Sequence, residues 1–393
     1  MITQLPHTLI CTIGTSLIYP NLASLPKNED NYPAWLNKQP EEDRQHFSKD
    51  FIINLRALFT AKNFKGVAES LAQLPGNTRL CGAEINSITD LMTHQYCQQN
   101  SELFFCHSQT PEGHDIVNIL ENYYQQKGYQ VETREILGLQ DKEPKLFRTK
   151  GLRNLAKTVS QTIREKNHQF CAINATGGYK AQIAIAVLIG QALEVPVYYK
   201  HERFSEIIAF PPMPIALDFN LWLEKSGLLT ILEREEIIEW STDFDEDWDE
   251  KMETLIERED GCIHLSATGQ IFHETFKGRF ESDRDTFLPP LIPSQQKVRP
   301  VLTDHSWGNA RPKIIDFLQK ITEKCSYVKK CRTHYWNPDL SLPIRFRKKE
   351  DQVEGILSNG SWTVKFYVDT SANTEGQVVA CIADLNSRVQ DFE

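Results

Sequence analysis

The chain has 393 residues, 40% of them apolar, and a formal net charge of -10. That length predicts two or three domains with ordinary cores, and the charge excludes a uniformly basic nucleic-acid binder while leaving room for one basic module. The nine cysteines form no CxxC pair, which argues against a zinc or thioredoxin-like centre, and no apolar run reaches the ~18 residues of a membrane span. The N-terminus shows neither a basic leader nor a cleavage site, so a cytoplasmic protein with reduced thiols and no membrane contact is expected.

Residues 8–13 form a short apolar strand, and Gly14-Thr15-Ser16 follows its carboxyl end. That turn offers backbone N–H groups and two hydroxyls to a ligand; its plainer role is a helix N-cap. Residues 20–50, rich in proline, asparagine and charge, make a surface excursion. Helical spacing marks 51–59 and 67–74. A turn at 79–82 leads into a further helix, with Glu84 and Asn86 as polar residues at the junction. Strands follow at 104–108, 129–133, 170–173, 195–199 and 207–210, with helices at 115–124, 152–165 and 183–190 between them. This alternation predicts an α/β fold with a doubly wound, mostly parallel sheet. Ligands bind such sheets beyond the carboxyl ends of the strands, at a switch in strand order.

Asn174-Ala175-Thr176-Gly177-Gly178-Tyr179-Lys180-Ala181-Gln182 is the stretch best suited to a phosphate. Its glycines permit close backbone approach and positive φ. The helix start supplies free N–H groups, and Lys180 adds a charge. A glycine turn that merely connects strand to helix would look the same locally.

Five stretches, in order, resemble the CARF domain, the Rossmann-like sensor of type III CRISPR systems. They are Ile13-Gly14-Thr15-Ser16-Leu17, Ala83-Glu84-Ile85-Asn86-Ser87, Ser108-Gln109-Thr110 with Gly113, Ala175 to Lys180, and Tyr198-Tyr199-Lys200-His201-Glu202 leading to Pro211-Pro212-Met213-Pro214. The resemblance spans roughly residues 1–214. It implies a homodimer whose paired domains bind a cyclic oligoadenylate, most often cyclic tetra-adenylate. Gly14, Thr15 and Ser16 would contact one part of the ring. Thr176, Gly177, Gly178 and Lys180 would hold its phosphates, with Ser108, Thr110, Tyr179 and Gln182 completing the site. Some members also cut their ligand, and Ser16 and Lys180 occupy the positions where that would occur.

Residues 215–295 differ in character. A helix over 216–232 precedes an acidic run that includes Asp243, Asp245, Glu246, Asp247, Asp249 and Glu250, then a short strand at 261–265 and a helix from 266 to 280. Acids without ligand spacing form a solvated face. The order resembles the winged helix-turn-helix that often follows a CARF domain. Its acidity suits a connector and argues against DNA. Residues 285–300, with four prolines, are expected to be a linker.

Residues 296–393 hold fifteen Lys and Arg against twelve Asp and Glu, a mildly basic module on an acidic chain. A helix is predicted over 311–324, and strands over 342–349, 353–357, 362–368 and 377–384, with hairpin turns at Asn359-Gly360 and at Asn373 to Gly376. This makes a small α+β module. Arg345 and Arg347 alternate with apolar residues, giving one strand face a cationic character, and Lys329 to Trp336 mix cations with aromatics. Such a face suits RNA. The 360–368 and 378–384 segments resemble the RelE family of ribosome-dependent mRNA interferases. That implies metal-independent cleavage by an activated ribose 2′-OH, with no cofactor, and mRNA on the ribosome as partner. Arg345, Arg347, Lys348, Lys365 and Arg388 would stabilise the phosphate, and His334 and Tyr335 would serve as acid or base. The family's arginine before the hairpin and its C-terminal tyrosine are replaced here by Ile356-Leu357-Ser358 and Phe392. Arg299 and His305 have the spacing of a HEPN ribonuclease motif, but Pro300 lies between them, and Glu354, Asp369 and Asp384 lack the lysine two residues on that a restriction-type nuclease would need.

The expectation is a cyclic-oligoadenylate-activated ribonuclease of CRISPR defence. The alternatives are a non-enzymatic RNA- or protein-binding regulator, and a ring nuclease that degrades the cyclic ligand.

Overall fold

The strands at 8–12, 102–108, 171–174 and 197–199 are largely apolar on both sides, and in the computed structural model they lie in the middle of a layered α/β unit. The structure describes residues 5–393 except 202, 203, 205, 215, 246, 247, 249 and 304–306. Two compact units result, residues 1–215 and 216–393.

In the first unit, β1 (Thr8–Thr12), β2 (Glu102–Ser108), β3 (Val131–Ile136), β4 (Cys171–Asn174), β5 (Val197–Tyr199) and β6 (Ile208–Phe210) form one sheet in the order β3-β2-β1-β4-β5-β6. The first five are parallel and β6 is antiparallel. This is the order of Rossmann-type doubly wound sheets, and its direction reverses at β1 and β4. Leu9, Cys11, Leu103 and Phe105 point into a core shared with the helices Lys49–Thr60, Phe64–Leu71, Gly82–Thr93 and Pro111–Gln125. Ile10, Phe104, Cys106 and Ile173 alternate with them and are equally buried, so both faces of the sheet are covered. The helices Leu152–Lys166 and Lys180–Ala192 complete the unit.

The second unit has two sheets. β7 (Ile238–Glu239), β8 (Ile256–Glu259) and β9 (Cys262–Leu265) pair in the order β7-β9-β8, and their core is shared with the helices Phe219–Glu235 and Ala267–Phe287. β10 (Val328–Asn337), β11 (Arg345–Lys349), β12 (Gln352–Ser358) and β13 (Thr363–Thr370) form an antiparallel sheet in the order β10-β13-β12-β11. The helix Arg311–Lys324 packs on one face of it. The proline-rich stretch runs beside β10, where Val298 and Val301 donate N–H bonds to the carbonyls of Lys329 and Cys331.

One predicted element has the wrong type. The 377–384 run is the helix Glu375–Ser387, and the expected turn before it is that helix's start, where the Thr374 side chain accepts the Gln377 N–H at 3.3 Å. The β-branched run looks like a strand because the helix is apolar nearly all round. Cys381, Ile382 and Leu385 enter the core of the larger sheet, whereas Val379, Ala380 and Ala383 enter that of the smaller one. Burial on two sides erases the helical period.

Candidate functional site

The carboxyl ends of β2, β1 and β4 lie side by side, with Ile13 N–H donating to the Cys106 carbonyl. At the β1–β4 switch two glycine turns meet back to back. A Cβ on Gly14 would come within 2.5 Å of the Gly178 nitrogen, and one on Gly177 would lie 2.5 Å from Glu84 Oε1 and 2.6 Å from the Thr12 carbonyl oxygen. The space these two glycines free is therefore taken by the protein itself. Gly178 has φ of +107°, the conformation that turns the chain into the Lys180–Ala192 helix.

Glu84 sits at the centre of this junction and is 1% exposed. Its Oε1 accepts the Gly14 N–H at 2.8 Å and its Oε2 the Ser16 hydroxyl at 3.0 Å, while Ser16 Oγ accepts the Ala83 N–H at 2.9 Å. Burial pushes the Glu84 carboxyl above its ordinary value, against the pull of the Gly14 N–H and the Ser16 hydroxyl. Asn174 fixes the other turn. Its Nδ2 donates to Ser87 Oγ at 2.8 Å, and its Oδ1 accepts the Thr176 hydroxyl at 2.6 Å. Thr176 Oγ1 in turn accepts the Lys200 N–H at 3.0 Å, and the Lys200 ammonium pairs with Asp90.

The expected ligand residues thus divide. Gly14, Ser16, Thr176, Gly177 and Gly178 are brought together, with both hydroxyls turned inward to hold the turns. Gln182 is fully buried and its Oε1 accepts the Tyr179 N–H at 2.5 Å, a capping role. Ser108 bonds Thr110 at 2.9 Å, and Thr110 Oγ1 accepts the Gly113 N–H at 3.0 Å, capping the helix that follows β2. Thr15 and Lys180 are exposed at this edge, and Tyr179 is half-buried against Phe147. Glu202 lies outside the described residues. The sequence marked Glu84 only as a polar residue at a helix start; Asn174 and Asp90 went unmarked as structural partners. Glu84 lies one residue before Ile85 and four before Ile88, on the side of the helix that carries its apolar residues, and that was the available signal.

In the second unit the functional candidates lie on one face of the larger sheet. Strand register sets Arg347 opposite Glu354, Glu354 opposite Tyr367, and Lys365 opposite both Tyr335 and Ile356. Arg345 and Arg347 are 0% and 2% exposed. Arg347 Nε donates to Glu354 Oε2 at 2.7 Å, and His334 Nε2 lies 2.9 Å from Glu354 Oε1, its ring stacked on Tyr367 at 4.2 Å. Burial lowers the His334 pKa below its ordinary 6.5, with the Glu354 carboxylate opposing. Tyr335 accepts a bond from Asn337 Nδ2 at 3.2 Å and lies under the Lys365 ammonium at 5.4 Å.

This face has an occupant. Asp243, on a short turn from the acidic run, pairs with Arg345 and takes a 2.6 Å bond from Lys365 Nζ. Burial pushes its carboxyl up, but Arg345, Lys365 and Arg347 outweigh burial and hold it below the ordinary value. The run's later members Glu246, Asp247 and Asp249 lie outside the described residues, as does His305 of the Arg299-His305 spacing. Two candidates stand apart from the face. Lys348 has the opposite strand parity and pairs with Glu375. Arg388 follows the Glu375–Ser387 helix and is held by Asp391 at 3.2 Å and the Lys324 carbonyl at 3.2 Å. Among the described residues no helix is long and apolar enough to cross a membrane.

No curated protein matches this chain. Among solved structures it is similar to protein VC1899 from Vibrio cholerae, at 11% identity over 72% of this chain and 74% of that one, with a TM-score of 0.26. Residues 79–213, which hold Glu84, β2 to β6 and the Thr176–Lys180 turn, match the model of a family described as CRISPR-associated protein (Cas_APE2256), and this match supports a CRISPR-associated protein.

Proposed function

We propose that the protein is a cyclic-oligoadenylate-activated ribonuclease of type III CRISPR defence. The first unit is a CARF-type sensor, read as a homodimer that takes cyclic tetra-adenylate. Residues 216–295 are a winged-helix connector, and the remainder is a RelE-like module acting on mRNA at the ribosome. The observation that carries the reading is the convergence of His334, Tyr335, Lys365, Arg345 and Arg347 on one sheet face. Its lowered pKa leaves the His334 imidazole neutral near pH 7, the form that accepts a proton. In this mechanism His334 takes the proton of a ribose 2′-OH and Glu354 orients the ring. The 2′-oxygen attacks the adjacent phosphorus, and the 5′-oxygen leaves with a proton from Tyr335 or Lys365. The products are a 2′,3′-cyclic phosphate and a 5′-hydroxyl. The cations stabilise the pentavalent phosphate. The ligand activates to the extent that it prefers the active arrangement.

The test adds cyclic tetra-adenylate to the full chain with a translating ribosome–mRNA complex and, separately, with naked RNA. Ligand-dependent cleavage on the ribosome is expected. Intact ligand binding with no cleavage of either RNA sinks the nuclease reading. One observation favours the non-enzymatic regulator instead: Arg345 and Arg347 are buried on internal acids, as structural cations are. The ring-nuclease reading is weakened by Ser16, whose hydroxyl is committed to Glu84.

A further inference from the structure

The Asp243 turn is short and firmly seated. Residues Thr242–Phe244 make one 3-10 turn, Ser241 Oγ accepts the Asp243 N–H at 3.3 Å, and Phe244 is fully buried with its ring 4.8 Å from the Arg345 guanidinium. From this turn a single residue presents three oxygens to three cations. Oδ2 takes Arg345, Oδ1 takes Lys365 Nζ at 2.6 Å, and the backbone carbonyl oxygen takes Arg347 Nη1 at 3.1 Å. Three oxygens on a small anionic centre, met by two guanidinium groups and an ammonium, is the arrangement a phosphate group would demand. Buried cations need a counter-charge. Among the described residues, Glu354 supplies one for Arg347, and Asp243 supplies one for Arg345 and Lys365.

We infer that Arg345, Arg347 and Lys365 form a seat for a backbone phosphate of RNA, and that Asp243 fills it as an internal anion, so that this turn must lift before RNA can dock. The inference rests on the RNA reading of the same face and adds its regulation: the resting chain blocks its own site. Any signal that displaces Thr242–Phe244 exposes the seat, and any that holds the turn keeps it shut.

The test compares the full-length protein with Asp243→Asn, which preserves shape and removes the charge. Thermal melts in phosphate and in chloride at equal ionic strength report on the seat, and anisotropy of a short fluorescent single-stranded RNA reports on docking. Phosphate should raise the Tm of Asp243→Asn by about 2–4 °C and leave the wild type unmoved. RNA should bind the variant about tenfold more tightly without any activating ligand. If phosphate stabilises the variant but RNA affinity is unchanged, the seat stands and the RNA reading of the face falls. If the folded variant ignores phosphate, or the wild type responds equally, the seat is overturned whatever the RNA does. A variant that folds only in phosphate supports the seat. Should it fold in neither buffer, Asp243→Ser, which keeps all three cations and a small hydroxyl beside them, takes its place, and its failure to respond to phosphate overturns the assignment.

Discussion

The strand-end edge of the first unit and the sheet face of the second solve the problem of buried polarity in opposite ways. At the edge, the buried Glu84 carboxyl is met by neutral donors, an N–H from Gly14 and a hydroxyl from Ser16, with the Lys200–Asp90 pair beside the other turn. On the sheet face, buried charges answer one another: Arg345, Arg347 and Lys365 against Asp243 and Glu354. The first arrangement fixes a backbone shape and leaves Thr15 and Lys180 facing outward. The second stores charge that only another anion can satisfy. One region fixes a pair of turns and the other holds buried cations against internal acids, which is what the proposed sensor and effector roles call for.

His334→Ala carries the largest expected effect. It removes the proposed base and should lower ligand-stimulated RNA cleavage by about 100-fold or more, measured as single-turnover rates, without altering ligand binding. Gly177→Ala should follow. Its Cβ meets Glu84, Thr12 and Gly14 backbone or carboxylate atoms that have no room to move, so a loss of about 2–3 kcal/mol is expected by chemical denaturation. A neutral result there would mean that the two turns are not locked. Lys180→Ala, at an exposed position, should weaken cyclic tetra-adenylate binding by about tenfold and leave Tm unchanged.

The smallest effects are in pH dependence, and they have opposite signs in the two regions. The folded Glu84 pKa is raised above its ordinary 4.5, so the native state holds the proton longer than the unfolded chain. Its contribution is therefore largest at low pH and is lost as pH rises above 4.5 through the folded value. The folded Asp243 pKa is lowered from 3.8, so its contribution is full above that value and lost as pH falls through the folded one. Melting curves across the acid range should show the first slope disappear in Glu84→Gln and the second in Asp243→Asn. Identical slopes in both variants would remove the contrast.

The first unit was legible because its central strands are largely apolar runs separated by amphipathic helices, a pattern that local sequence carries. The Thr176–Lys180 turn was equally visible. What Gly14 and Gly177 do was not, because the contact that requires both joins turns 163 residues apart in the sequence. In the second unit the alternation around Arg345 and Arg347 correctly placed them on one face, and the same parity put Lys348 on the other. Their burial was hidden, since the covering Asp243 comes from an acidic run that looks like a solvated loop. The Glu375–Ser387 helix was lost for a similar reason: two cores on two sides leave no periodic signal.

The division of labour is tested most directly by crossing two variants with two readouts. Binding of cyclic tetra-adenylate and cleavage of mRNA are measured for Lys180→Ala and for His334→Ala. The account predicts that Lys180→Ala loses ligand binding and, with it, stimulated cleavage, while His334→Ala binds ligand normally and does not cut. Ligand-stimulated cleavage that survives in His334→Ala, or ligand binding undiminished in Lys180→Ala, would contradict it.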